Sequence, residues 1–260
     1  MSGDGAEAGT GPNAPRRTTR RRPALRVAAV VVAAALVLGA SGFVVWANVT
    51  YAATLTSTEE LAADPAVAVD WSYDRVVMTP TGDSSGEGLV FFAGAKVDPL
   101  AYAWKLSGIV EQGATVVIVR PPLNFALFEV RPLTAFTDEA SEVKDWFVGG
   151  HSLGGVKACQ FADQAAGLIL LASYCAGDES DLDVPVLSVS GSEDGLSTPA
   201  KIDASRAELP DDARFVQIEG ANHARFGDYG AQTGDGEARI DDERMRDELT
   251  TALAQVIPAA

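Results

Sequence analysis

Ser152 stands in Gly150-His151-Ser152-Leu153-Gly154, behind an apolar run at 146–149 and ahead of a helix-forming stretch at 156–164. A serine between two glycines at a strand-to-helix junction can be held in a strained tight turn. Its hydroxyl then stands clear of the sheet, while the glycines let strand and helix approach. The chemistry this permits is nucleophilic attack on a carbonyl. With 25 glycines in 260 residues, a Gly-x-Ser-x-Gly alone is a common accident, so the assignment turns on whether a base, an acid and oxyanion donors follow in a workable order.

A serine hydroxyl is a poor nucleophile unless a neighbouring base takes its proton. The chain holds two histidines, at 151 and 223. His151 directly precedes Ser152, where adjacent side chains diverge. That leaves His223, in Gly220-Ala221-Asn222-His223-Ala224-Arg225-Phe226-Gly227-Asp228-Tyr229-Gly230, as the candidate base. Its imidazole needs a carboxylate to fix the tautomer and to stabilise the imidazolium formed during attack. Asp194, just beyond the apolar run 184–189, is the leading choice, with Glu193 and Asp228 as rivals. The oxyanion donors expected are two backbone amides, that of Leu153 after the nucleophile and that of Ala95 in the loop after an early strand. Arg225 and Tyr229, close to the base, are candidates to line a pocket; a solvated loop face is the ordinary alternative.

These residues must be positioned by regular elements. Apolar spacing predicts strands over 66–80, 88–93, 115–119, 146–149, 168–174, 184–189 and 215–219. Helices are predicted over 98–112, 132–145, 156–164, 199–209 and 240–257, after a short polar helix or linker at 54–64. Strands alternating with helices imply an α/β fold, a mostly parallel sheet covered on both faces.

Charge is divided unevenly. Residues 1–26 carry six arginines against Asp4 and Glu7, a net +4, which leaves −20 on the rest of a chain whose formal total is −16. A body so acidic repels phosphate backbones, which argues against nucleic-acid binding. Residues 1–23 read as a disordered basic tail. Residues 27–47 run without a charge and as a helix would extend about 31 Å, the thickness of a bilayer core. The preceding arginines favour a cytoplasmic N-terminus, so a segment at 24–47 reads as a transmembrane signal anchor, 48–65 as a linker, and 66–260 as an extracytoplasmic domain. A cleaved signal peptide, with small residues at 39–42 for the peptidase, is the weaker alternative, and a twin-arginine signal at Arg21-Arg22 weaker still. Cys159 and Cys175 are the two cysteines. Buried free thiols are the favoured reading of them, an exported location leaving a disulfide open.

With these pieces in place, the chain from about 66 to 257 resembles the α/β-hydrolase superfamily, and more closely the small lidless family 5 group related to dienelactone hydrolases. The carriers are Phe-Phe-Ala-Gly-Ala-Lys-Val-Asp-Pro (91–99), Gly-Gly-His-Ser-Leu-Gly-Gly (149–155), Gly-Ser-Glu-Asp-Gly-Leu (191–196) and the histidine loop 220–230. The order Ser152, Asp194, His223 is that of this superfamily. The resemblance implies hydrolysis of a carboxylic ester or related acyl bond, with those three as a triad, through an acyl-enzyme and without metal or organic cofactor. Serine stands where dienelactone hydrolases carry cysteine. Only 175–183 separates two core strands, too little for a cap domain, so small or surface-presented acyl substrates are expected. An acyltransferase using the same triad, and a non-catalytic binding module on the same fold, remain the alternatives.

Overall fold

The computed structural model describes Gly9, Gly11, residues 21–138 and residues 140–260. Most of the expected disordered tail, 1–23, therefore lies outside the described residues. Its last three residues are helical, because α1 runs Arg21–Ala47. Within α1, Pro23–Ala47 has a mean hydropathy of 2.5 and is long and apolar enough to cross a membrane or to serve as a signal sequence. The chain divides into two units, Met1–Val44 and Val45–Ala260.

The second unit is built on an eight-stranded sheet ordered β1-β2-β4-β3-β5-β6-β7-β8. Its strands are β1 (Val67–Trp71), β2 (Arg75–Pro80), β3 (Glu87–Phe92), β4 (Thr115–Val119), β5 (Asp145–His151), β6 (Gly167–Leu171), β7 (Val186–Gly191) and β8 (Arg214–Ile218). β1 and β2 are antiparallel, as are β2 and β4, and every pairing from β4 to β8 is parallel. β3 to β7 are buried on both faces, as parallel strands sandwiched by helices must be. The helices after α1 are α2 (Leu55–Ala63), α3 (Ala103–Glu111), α4 (Thr134–Thr137), α5 (Leu153–Cys159), α6 (Pro199–Ala204) and α7 (Asp242–Leu253). Two apolar clusters fill the two sides of the sheet. One joins Phe91, Ile118 and Ile169 to Leu106 of α3 and Leu249 of α7, and the other joins Phe92, Val148 and Leu170 to Ala158 of α5.

Two expectations need correction. The stretch 66–80 is a hairpin rather than one strand, because Ser72 N–H donates to Arg75 O at 2.9 Å and its hydroxyl bonds Asp74 Oδ1 at 2.9 Å, closing a turn. The helix expected over 132–145 shrinks to the single turn α4. The amides of Lys144 and Asp145 donate to Gly86 O, drawing the chain out to enter β5 opposite Glu87. The connection from β6 to β7, residues 172–185, is a loop with no cap inserted.

Candidate active site

Among the described residues, five that are not glycine have positive φ: Lys96, Leu123, Asn124, Ser152 and Ala172. They follow the carboxyl ends of β3, β4, β5 and β6, so the backbone strain is concentrated on one rim of the sheet, as it is at functional sites. Ser152, at φ 53° and ψ −123°, forms the junction between β5 and α5. Its amide donates to Leu171 O at 3.0 Å and its carbonyl accepts the Ser173 hydroxyl at 2.6 Å, pinning the turn to the end of β6. A Cβ on Gly150 would meet Gly155 N at 2.6 Å, and one on Gly154 would strike the Phe92 carbonyl. Both glycines are thus required by close approach, Gly154 because α5 starts against the end of β3.

Asp194 and His223 are in contact. His223 Nδ1 lies 2.9 Å from Asp194 Oδ2, both side chains almost wholly buried. The other carboxylate oxygen of Asp194 accepts from the amides of Leu196 (2.8 Å) and Ser197 (2.7 Å), so its orientation is fixed from both sides. The carboxylate on Nδ1 holds the proton there and leaves Nε2 as the basic nitrogen. The rivals for the acid lie elsewhere. Glu193 faces Arg239 at 3.5 Å, and Asp228 is engaged by the buried Lys105 ammonium at 2.7 Å. Burial pushes the Asp228 carboxyl up to about 6, partly offset by Lys105.

His151, buried in the elbow, has its ring centroid 4.4 Å from that of His223. Its Nδ1 lies 2.9 Å from Tyr102 Oη, which also accepts from Gly94 N–H at 3.0 Å. The phenol thus bridges the Gly94 amide and the His151 ring. Burial, and then the neighbouring His223, hold the His151 imidazole well below the ordinary range, so this ring is neutral. Tyr102 thereby ties the elbow to the loop that carries Ala95.

In that loop Lys96 N–H donates to Asn124 O at 2.7 Å, and in the elbow Gly155 N–H donates to Ser152 O at 3.0 Å. The amides of Ala95 and Leu153 have no acceptor among the described residues. Two unspent donors therefore flank the place where the start of α5 abuts β3.

Three positioning residues escape the sequence reading. Asp235 Oδ1 accepts from Gly195 N (3.1 Å) and His223 N (3.1 Å), and its Oδ2 accepts from Ala224 N (2.9 Å), clamping the acid loop to the histidine loop. Its only signal is a place in Thr233-Gly234-Asp235-Gly236, which reads as a turn. Lys105 is the second, binding Asp228 and, at 3.0 Å, Asp242. Tyr102 is the third. Tyr229 is buried instead of solvated, its hydroxyl donating to Gln232 at 3.0 Å, and Arg225 is paired with Asp242 at 2.5 Å.

The two cysteines form a disulfide, which corrects the free-thiol reading. Cys159 ends α5 and Cys175 follows β6; because α5 packs on β6, their Cα atoms stand 5.8 Å apart, within bridging range.

Residues 88–247 match the model of the Alpha/beta hydrolase family. No curated protein matches the chain. Among solved structures, an alpha-beta serine hydrolase homologue from Coxiella burnetii is similar at 19% identity and TM-score 0.52, over 72% of this chain and 97% of that one. A predicted CIB-like hydrolase from Thermoplasma acidophilum is similar at 15% identity and TM-score 0.54, over 73% of this chain and 99% of that one. At such identities the likeness is one of fold.

Proposed function

The chain belongs to the alpha/beta hydrolase family, and on that premise we propose that it is a serine hydrolase that cleaves a carboxylic ester or related acyl bond. Ser152 Oγ attacks the carbonyl carbon while its proton passes to His223 Nε2. Asp194 holds the His223 tautomer and offsets the imidazolium charge. The Leu153 and Ala95 amides receive the oxyanion, each such donor contributing about 3–4 kcal/mol of barrier lowering. Collapse of the tetrahedral intermediate breaks the C–O bond, and the imidazolium returns the proton to the leaving alcohol. A water molecule, deprotonated by His223, then releases the acyl group as acid and frees Ser152.

One observation carries this reading: the 2.9 Å contact between Asp194 and His223 Nδ1, on the rim where Ser152 is held at φ 53°. The unspent amides of Ala95 and Leu153 support it. We also read α1 as an uncleaved anchor that places the Val45–Ala260 unit outside the cytoplasm. The arginines at and before its N-terminal end and Trp46 in its last turn support that orientation, and the Cys159–Cys175 disulfide suits an oxidising compartment.

The test is labelling by a fluorophosphonate probe together with turnover of p-nitrophenyl acetate. Wild type is expected to label and turn over, and Ser152→Ala to do neither. Undiminished labelling of Ser152→Ala, or undiminished turnover by His223→Ala, refutes the assignment.

A further inference from the structure

Among the described residues of the Val45–Ala260 unit, every large apolar side chain that is exposed falls within 45–73 or 127–130; none occurs in the remainder of the chain to 260. On an acidic domain otherwise covered in charge, that confinement needs a cause. The topology brings most of these residues to one place. The 72–74 turn stands beside the end of β4, since Arg120 N–H donates to Asp74 O at 2.8 Å. Residues 121–131 continue from the same strand end and pack, at 126–128, against α5 behind Ser152. Trp71 (66% exposed), Tyr73 (88%), Leu127 (53%), Phe128 (46%) and Val130 (88%) therefore edge the rim that carries the nucleophile.

The end of the apolar helix is fastened to the same rim. Trp46 stacks on Phe125 at 5.8 Å between ring centroids, and Lys96 Nζ sits 4.1 Å from the Trp46 ring centroid. Asn124 Nδ2 donates to Ala47 O at 3.1 Å. Just beyond, Tyr51 pairs with the oxyanion loop, its amide donating to Lys96 O at 2.7 Å and its carbonyl accepting from Asp98 N at 2.9 Å. Asn48 and Thr50 share a cleft of about 610 Å³ with Tyr73, Arg120 and Leu123. Trp46 and Ala47, at the start of the Val45–Ala260 unit, are thus held on the same rim as these loops.

We propose that this rim docks on the leaflet from which α1 emerges, its apolar side chains seated among the lipid headgroups, so that acyl substrates reach Ser152 from the membrane. The proposal rests on the reading of α1 as a span. The net −20 of the chain beyond Arg26 opposes binding to anionic lipid, so the apolar contacts and neutral headgroups carry the docking.

The full-length protein, its native disulfide oxidised, is reconstituted in phosphatidylcholine bilayers with an environment-sensitive fluorophore on a single added cysteine at Leu127, Val130, Leu36 or Asp211. Quenching by doxyl lipids is measured at each. Asp211 precedes β8 and lies on the opposite rim. Labels at Leu127 and Val130 are expected to be quenched several-fold more than the label at Asp211. Equal quenching at those three positions, with Leu36 quenched, overturns the docking and leaves the span standing. An unquenched Leu36 overturns the span and the docking with it. In a second arm, Leu127→Ser/Val130→Ser is expected to lose about tenfold in kcat/KM on a long-chain ester dispersed in the bilayer, about 1.4 kcal/mol, while p-nitrophenyl acetate turnover is unchanged. Equal turnover of the membrane ester by the variant and wild type also overturns the proposal. The quenching arm requires no catalysis, so docking and hydrolase assignment fail separately.

Discussion

Replacing Gly154 by alanine puts a methyl group where β3 already is. The new Cβ would strike Phe92 O and stand 2.6 Å from the Phe92 carbonyl carbon and 2.8 Å from Ala93 O, where about 3.5 Å is comfortable, so at least about 1 Å of separation has to be found. β3 cannot supply it, because Phe92 is paired with Val119 on one side and Gly150 on the other. The movement falls on the first turn of α5 and on the Ala93–Ala95 loop, the two segments that carry the proposed oxyanion amides. Overpacking of this kind destabilises by about 1–3 kcal/mol, and misplacement by about 1 Å at the reacting centre lowers kcat about 100-fold. The assay is p-nitrophenyl acetate kinetics alongside denaturant unfolding, with Gly177→Ala as control, since a Cβ there meets only Glu179 at 3.9 Å. A Gly154→Ala enzyme whose kcat stays within about threefold of wild type, under about 1 kcal/mol of barrier, refutes the argument that this glycine fixes the elbow against β3.

Three further outcomes are expected. Reducing the Cys159–Cys175 bridge, or replacing both by alanine, opens a loop of sequence separation 16 and is expected to cost about 3 kcal/mol of unfolding free energy; a loss below about 1 kcal/mol in denaturant titrations refutes that magnitude. Tyr102→Phe strips a partner from both Gly94 N–H and His151 Nδ1. It is expected to lower stability by about 1–3 kcal/mol and to depress kcat more than it raises KM; unchanged kcat shows that the Ala95 loop does not depend on the phenol. Asp228, raised to about 6 in the fold, binds its proton more tightly folded than unfolded. Its contribution to stability is therefore fully present below the unfolded carboxylate range near 4 and is lost as pH rises through about 6. The unfolding free energy of wild type relative to Asp228→Asn is expected to fall across that window, and a flat or rising difference contradicts the assignment.

What was legible in the sequence was what side-chain identity encodes. Gly150, Ser152 and Gly154 announce the elbow because no other small residues satisfy such contacts. A chain with two histidines offers few bases, and the buried parallel strands β3 to β7 show as apolar runs. The hairpin at 72–74 does not show in the sequence because a turn closed by Ser72 and Asp74 interrupts no apolar pattern. The disulfide is not legible because pairing depends on how α5 lies against β6, which spacing does not reveal. Asp235 does not show in the sequence because a carboxylate that clamps three amides across two loops looks, in one dimension, like any aspartate in a glycine-rich turn. The proposed oxyanion donors rest on their place in the chain alone, since an amide leaves no trace in residue type.

The Asp235 clamp also divides the histidine loop into a fixed part and a replaceable one. Asp228 is tied down by Lys105, and its carbonyl accepts from Thr54 N–H at 2.7 Å; Asp235 is locked to His223, Ala224 and Gly195. Between these two moorings Gly230 to Gly234 arches over the surface, largely exposed. Segments of other lengths and chemistries spliced into that arch are expected to leave the proposed acid and base in place, which makes it the natural port for varying what the proposed enzyme accepts.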